Sequence, residues 1–77
     1  MQTREIDRNK FVELANKRVN NAIKSIRLIG NLSNKSNYSY TEVDVKKIFS
    51  ALQKELKEAK RRFEEGSERG KGKFNLL

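Results

Sequence analysis

The chain has no cysteine, no histidine, no proline and no tryptophan, and only four glycines in 77 residues. Without cysteine there is neither a disulfide framework nor a thiolate metal site. Without histidine the commonest metal ligand and the commonest neutral-pH general base are both missing. No apolar run exceeds three residues, so no segment is suited to spanning a bilayer. The opening "MQTREIDRNK" lacks the apolar stretch of a signal peptide, from which we expect residence in the cytoplasm. Gly70 and Gly72 precede no helical pattern and make no phosphate loop, and Glu55 with Glu58 reads as surface ion pairing. The expectation is a non-enzyme with no metal and no cofactor.

What the sequence does contain is charge and helix formers. Eighteen Lys and Arg against ten Asp and Glu give a net charge of +8, with an isoelectric point near 10.1. A balance this basic favours an acidic partner: nucleic acid, an anionic protein or a membrane surface. Abundant Lys, Glu, Arg and Ala with no proline set the class as all-α.

Two amphipathic helices are expected. In the first, Val12, Ala15, Val19, Ala22, Ile26 and Ile29 recur in alternating steps of three and four, which places a heptad seam on one face. Thr3 is the candidate cap ahead of Glu5 and Asp7, and Gly30 stands where a left-handed C-terminal cap belongs. The second helix opens at Thr41 with Asp44 three residues on, a capping box with Asp in place of Glu. Its seam is Val45, Phe49, Leu52, Leu56, Ala59 and Phe63, and Gly66 is expected to close it. The helices should therefore cover about 4–29 and 42–65, with residues 1–66 forming the helical domain and 67–77 a flexible basic tail.

Paired from the bend outwards, Ile29 with Val45 through to Val12 with Phe63, residue numbers sum to 74 or 75 at every step. Such constancy is what an antiparallel helical hairpin requires. Phe11, Leu14, Ile23, Leu28 and Ile48 lie beside the seam and widen the apolar face beyond what one helix covers. Dimerisation into a four-helix bundle is the expected remedy, with another protein partner as the alternative.

Charge is unevenly placed. No acidic residue occurs between Leu14 and Thr41, while Lys17, Arg18, Lys24, Arg27 and Lys35 supply five positive charges there. Lys17, Asn20, Lys24, Arg27 and Asn31 share one helical face, and Lys47, Ser50, Lys54, Lys57 and Arg61 form a comparable stripe on the second helix. Lys and Arg neutralise phosphates, and Asn hydrogen-bonds phosphates or base edges. The candidate nucleic-acid-binding set is accordingly Lys17, Arg18, Asn20, Lys24, Arg27, Asn31, Asn34, Lys35, Asn37, Lys46 and Lys47. The plainer reading is a solvated face supported by i,i+4 pairs such as Glu13–Lys17, Glu42–Lys46 and Glu58–Arg62.

The bend is longer than two helices need and rich in Asn and Ser, whose side chains bond nearby backbone. Leu32, Tyr38 and Tyr40 are expected to fold over Leu28 and cap the core, Tyr40 also serving as a staple for the second helix. The sharper alternative makes the bend a contact loop, with Tyr38 stacking on a base or filling a pocket. Its three N-x-S triplets follow from composition, with no glycosylation expected. At the end of the chain Phe74, Leu76 and Leu77 form an apolar tip on a charged leash, a candidate docking peptide. The "KFNLL" there faintly resembles the short motifs that dock on bacterial sliding clamps, without their leading Gln.

The run "KRVNNAIKSIRLIGNLSNKSNYSYTEVDVKKIF" resembles one shared by short, uncharacterised bacterial helical-hairpin proteins with an "IRLIGNLSN-x-SNY" type core, over about residues 11 to 63. That likeness implies the hairpin and carries no function. In outline the chain is also similar to small basic helical-hairpin ribosomal proteins, an analogy of architecture. Together these features point to a small basic protein binding nucleic acid or a nucleoprotein complex, the competing class being a protein-interaction module, adaptor or inhibitor.

Overall fold

The computed structural model describes the backbone of residues 2–72 and the side chains of residues 4–66. Helix α1 spans Gln2–Gly30, a single 3₁₀ turn covers Asn31–Ser33, and helix α2 runs over Glu42–Gly72. No strand occurs among the described residues, so the chain is all-α with two principal helices, as its composition predicts. It divides into two units, residues 1–39 around α1 and residues 40–77 around α2.

In the first unit, α1 has 29 residues, about 43 Å at 1.5 Å per residue. It begins before Thr3, which therefore stands inside the first turn and not at the cap position. At its other end Gly30 departs from expectation. Its φ of −59° and ψ of −31° are right-handed helical, so it is not a left-handed cap. The chain does not reverse there; it tightens into the 3₁₀ turn, where Asn34 N–H donates to the Asn31 carbonyl at 3.4 Å. A 3₁₀ turn is an alternative way of using the carbonyls a helix end leaves free.

In the second unit, the start of α2 follows the expected box. Asp44 N–H donates to Thr41 Oγ1 at 3.1 Å, and Thr41 N–H donates to Asp44 Oδ2 at 2.9 Å. Tyr40 and Val45 stand at the two staple positions around this cap, and both are half-buried while their neighbours are exposed. Gly66 does not close the helix. α2 continues through it to Gly72, and no described glycine has a positive φ. One interior glycine costs only about 1 kcal/mol relative to alanine, and it follows a turn held by Arg61, Glu58 and Glu65.

Neither unit has a buried residue among those described. On α1 only Leu14, Ala15 and Ile29 are half-buried, and on α2 only Val45 and Leu52. The seams otherwise face solvent, with Val19 at 55%, Leu56 at 72% and Phe63 at 66% exposure. Leu28, Leu32 and Tyr38, expected to close over one another at the bend, are exposed. The 3₁₀ turn and the turn at Asn34 fix their backbone locally while the three side chains stay exposed.

Candidate nucleic-acid interface

The helical repeat alone decides what lines the outer face of α1. At about 100° per residue, Lys17, Asn20, Lys24, Arg27 and Asn31 fall within an arc of about 80°, on the side away from Val12, Val19 and Ile26. All five are exposed. Arg18 sits about 100° round the helix from Lys17, beside the seam and off that arc. Lys10, seven residues before Lys17, extends the same face; its place between Asp7 and Glu13 hides it from a search for acid-free sequence.

On α2 the corresponding arc holds Lys47, Ser50, Lys54, Lys57 and Arg61, all exposed, with Lys46 off to one side. Its far end is electrostatically closed. Arg61 Nη2 donates to Glu58 Oε2 at 2.6 Å and Nε to Oε1 at 3.2 Å. Its Nη1 donates to Glu65 Oε2. The hydrogen bond from Arg61, then its charge, with Arg62 adding a little, lower the Glu58 carboxyl below its ordinary 4.5. The same hydrogen bond raises the Arg61 guanidinium. Glu58 thus pairs with Arg61 and not with Arg62, the i,i+4 partner expected of it. Glu13–Lys17 and Glu42–Lys46 are likewise not among the ion pairs of the described residues. Lys17, Arg18, Lys24, Arg27, Lys46 and Lys47 enter none of those pairs, which leaves their charges available to an external anion.

The connection is organised by one residue. Asn34 Oδ1 accepts the Ser36 N–H at 2.9 Å, and the Asn34 carbonyl accepts Asn37 N–H at 3.1 Å and Tyr38 N–H at 3.0 Å. Asn34 therefore acts as a turn-former, its side-chain oxygen spent on backbone. Asn31, Lys35 and Asn37 are exposed around it, as is Tyr38. Within the first unit, the structure joins the α1 arc to this turn through Asn31, the first residue of the 3₁₀ turn. Lys46 and Lys47 belong to the second unit. The docking tip Phe74, Leu76 and Leu77 lies outside the described residues.

No described helix is long and apolar enough to cross a membrane. Near the start of α1, Arg8 stands over the Phe11 ring at 5.8 Å from its centroid, a cation–π contact within one helical turn. The fold and the face define a class: a small all-α chain of two amphipathic helices, apolar on one side and basic on the other. No family model, curated protein or solved structure matches it.

Proposed function

We propose that this is a non-enzymatic cytoplasmic protein that binds nucleic acid or a nucleoprotein complex through the basic face of α1 and the turn that follows it. The observation that carries the reading is the exposed, ion-pair-free set Lys17, Lys24 and Arg27 on one helical arc, in a stretch without a carboxylate. Such a face meets a polyanion without first breaking internal pairs, and released counterions drive the association. Asn20 and Asn31 lie between and beyond the cations and add directional hydrogen bonds. Asn34 has its oxygen engaged, so its part is to shape the turn that presents Asn31 and Asn37.

Mobility-shift titration with RNA and DNA over a salt series tests this. Binding at low salt should weaken steeply as salt rises. Lys24→Ala with Arg27→Ala should flatten the logarithmic slope by about 1.8, two phosphates at about 0.9 each. Absence of binding at low salt defeats the reading, and an unchanged slope moves the site elsewhere.

A second reading is favoured by the exposed seams, in which the apolar faces recruit protein. Its simplest form is self-association into a four-helix bundle, which supplies the missing core to Val19, Ile26, Phe49, Leu56 and Phe63. Phe11 and Ile23 on α1 and Ile48 on α2 are exposed beside their own seams, whereas Leu28 lies four residues after Lys24, on the basic side of α1. Light scattering across a concentration series tests it, and a monomer with a cooperative melt is incompatible with it.

A further inference from the structure

The seam fixes a seven-residue frame, and one position of that frame is chemically uniform. Lys10, Lys17 and Lys24 on α1 are spaced by seven, and so are Lys47, Lys54 and Arg61 on α2. In both helices this position lies about 160–180° round from the centre of the apolar seam. Each row therefore runs straight along the back of its helix, its cations about 10.5 Å apart. Every member is exposed. Of the six, Arg61 alone is held in an ion pair among the described residues.

A solvated face does not need one sign at every repeat. Mixed signs at these positions would solubilise the helix equally and would add i,i+4 pairs. Glu13 stands between Lys10 and Lys17 on the α1 face and Glu58 one turn after Lys54 on α2, yet each aligned row of cations still gives a field suited to an extended polyanion. All three members of the α1 row lie on the face described above. The α2 row belongs to the other unit. Because each row is opposite its own seam, whatever covers the seams leaves both rows in solvent.

We infer that the chain is bivalent for polyanions: the Lys10–Lys17–Lys24 row, and Lys47 with Lys54 of the α2 row short of its closed end at Arg61, each hold a nucleic-acid segment, so that one molecule links two. This rests on the nucleic-acid reading above and adds a second site to it. Two sites on one chain also raise avidity wherever one nucleic acid reaches both.

The test uses the full chain and two short DNA duplexes, one carrying a donor dye and the other an acceptor, in low salt. Energy transfer should rise as protein is added and fall again once excess protein fills each duplex separately. Lys54→Gln with Lys57→Gln, both on the α2 stripe and outside the candidate set named above, should abolish the transfer. It should leave binding to a single duplex within about two-fold of wild type, the statistical loss of one of two sites. Lys10→Gln, Lys17→Gln and Lys24→Gln together should also abolish transfer. Gln matches Lys in helix propensity, and unchanged far-ultraviolet circular dichroism confirms that the helices persist in each variant. Wild-type protein that binds a single duplex without transfer overturns bivalency and leaves the binding reading intact. Transfer that survives the α2 substitutions also overturns it, since linking then comes from self-association of chains using α1 alone. No binding by wild type at all overturns both.

Discussion

Replacing Gly66 by alanine distinguishes two helices that the sequence permits and only one of which the structure contains. In the structure Gly66 is inside α2, six residues before its last helical position, and no described glycine has a positive φ. A Cβ built on it meets nothing within 4 Å. Alanine would then bring no clash and would remove the backbone entropy that glycine loses on becoming helical, a gain of about 0.5–1 kcal/mol. Were Gly66 instead a left-handed cap closing the helix at 65, alanine would be forced into that region at a cost of about 1–2 kcal/mol. The two cases differ in sign and are separated by about 1.5–3 kcal/mol on these figures. Thermal unfolding followed at 222 nm is sufficient. For a chain of 77 residues, a gain of this size raises the midpoint by about 2–8 °C, with a small increase in helical signal at low temperature. A lowered midpoint would refute the continuous helix and restore the cap. Gly30→Ala is the internal control, since Gly30 is also right-handed and also has open space where a Cβ would go.

Thr41→Ala removes the acceptor for Asp44 N–H and should cost about 1 kcal/mol of α2 stability, read as a lower melting midpoint. A double-mutant cycle with Asp44→Ala should show coupling, because the two hydrogen bonds are reciprocal; strict additivity would mean the box is not formed. Asn34→Ala deletes the acceptor for Ser36 N–H and should speed amide exchange at Ser36, whereas Asn34→Asp keeps an acceptor there and should preserve protection. The Glu58 pair makes a pH prediction with a definite sign. Its carboxyl is lowered in the folded helix, so the stabilisation is fully present above the ordinary 4.5 and is lost as pH falls through the depressed value. Acid titration of helicity should show wild type losing more signal below pH 4.5 than Glu58→Gln, with equal losses counting against the pair.

The elements were legible because local rules fix them. The three-and-four spacing from Val12 to Ile29 and from Val45 to Phe63 locates two helices, and the Thr41–Asp44 box marks the second start to the residue. The two glycines were misleading for a physical reason. A glycine after the last seam residue permits a left-handed cap but does not compel it, and the cost of keeping it helical is small. The ion pairs were half legible: Glu58 had two basic neighbours within reach, Arg61 and Arg62, and spacing alone cannot choose between i+3 and i+4. In the bend the Asn turn chemistry was legible, and Asn34 supplies it to the Ser36 N–H, but composition alone does not say which Asn forms the turn. Lys10 escaped because a carboxylate-free window is a statement about neighbours in sequence, whereas a helical face is built from residues seven apart.

The apolar and basic features of these helices are two consequences of one frame. Positions that recur every three and four residues face one way and carry Val, Ile, Leu and Phe; the position farthest from them carries Lys or Arg at each of three successive repeats on both helices. Sharing the frame makes the two surfaces sterically independent, because a side chain at the centre of one is half a turn from the other. A partner on the seam therefore does not compete for space with an anion on the row. The coupling left between them is through charge. Copies brought together at their seams bring their rows closer, and a bound polyanion offsets the repulsion that a net charge of +8 per chain imposes on association. By linkage the effect would be reciprocal on the proposed function: if nucleic acid favours assembly, the assembled form must hold it more tightly.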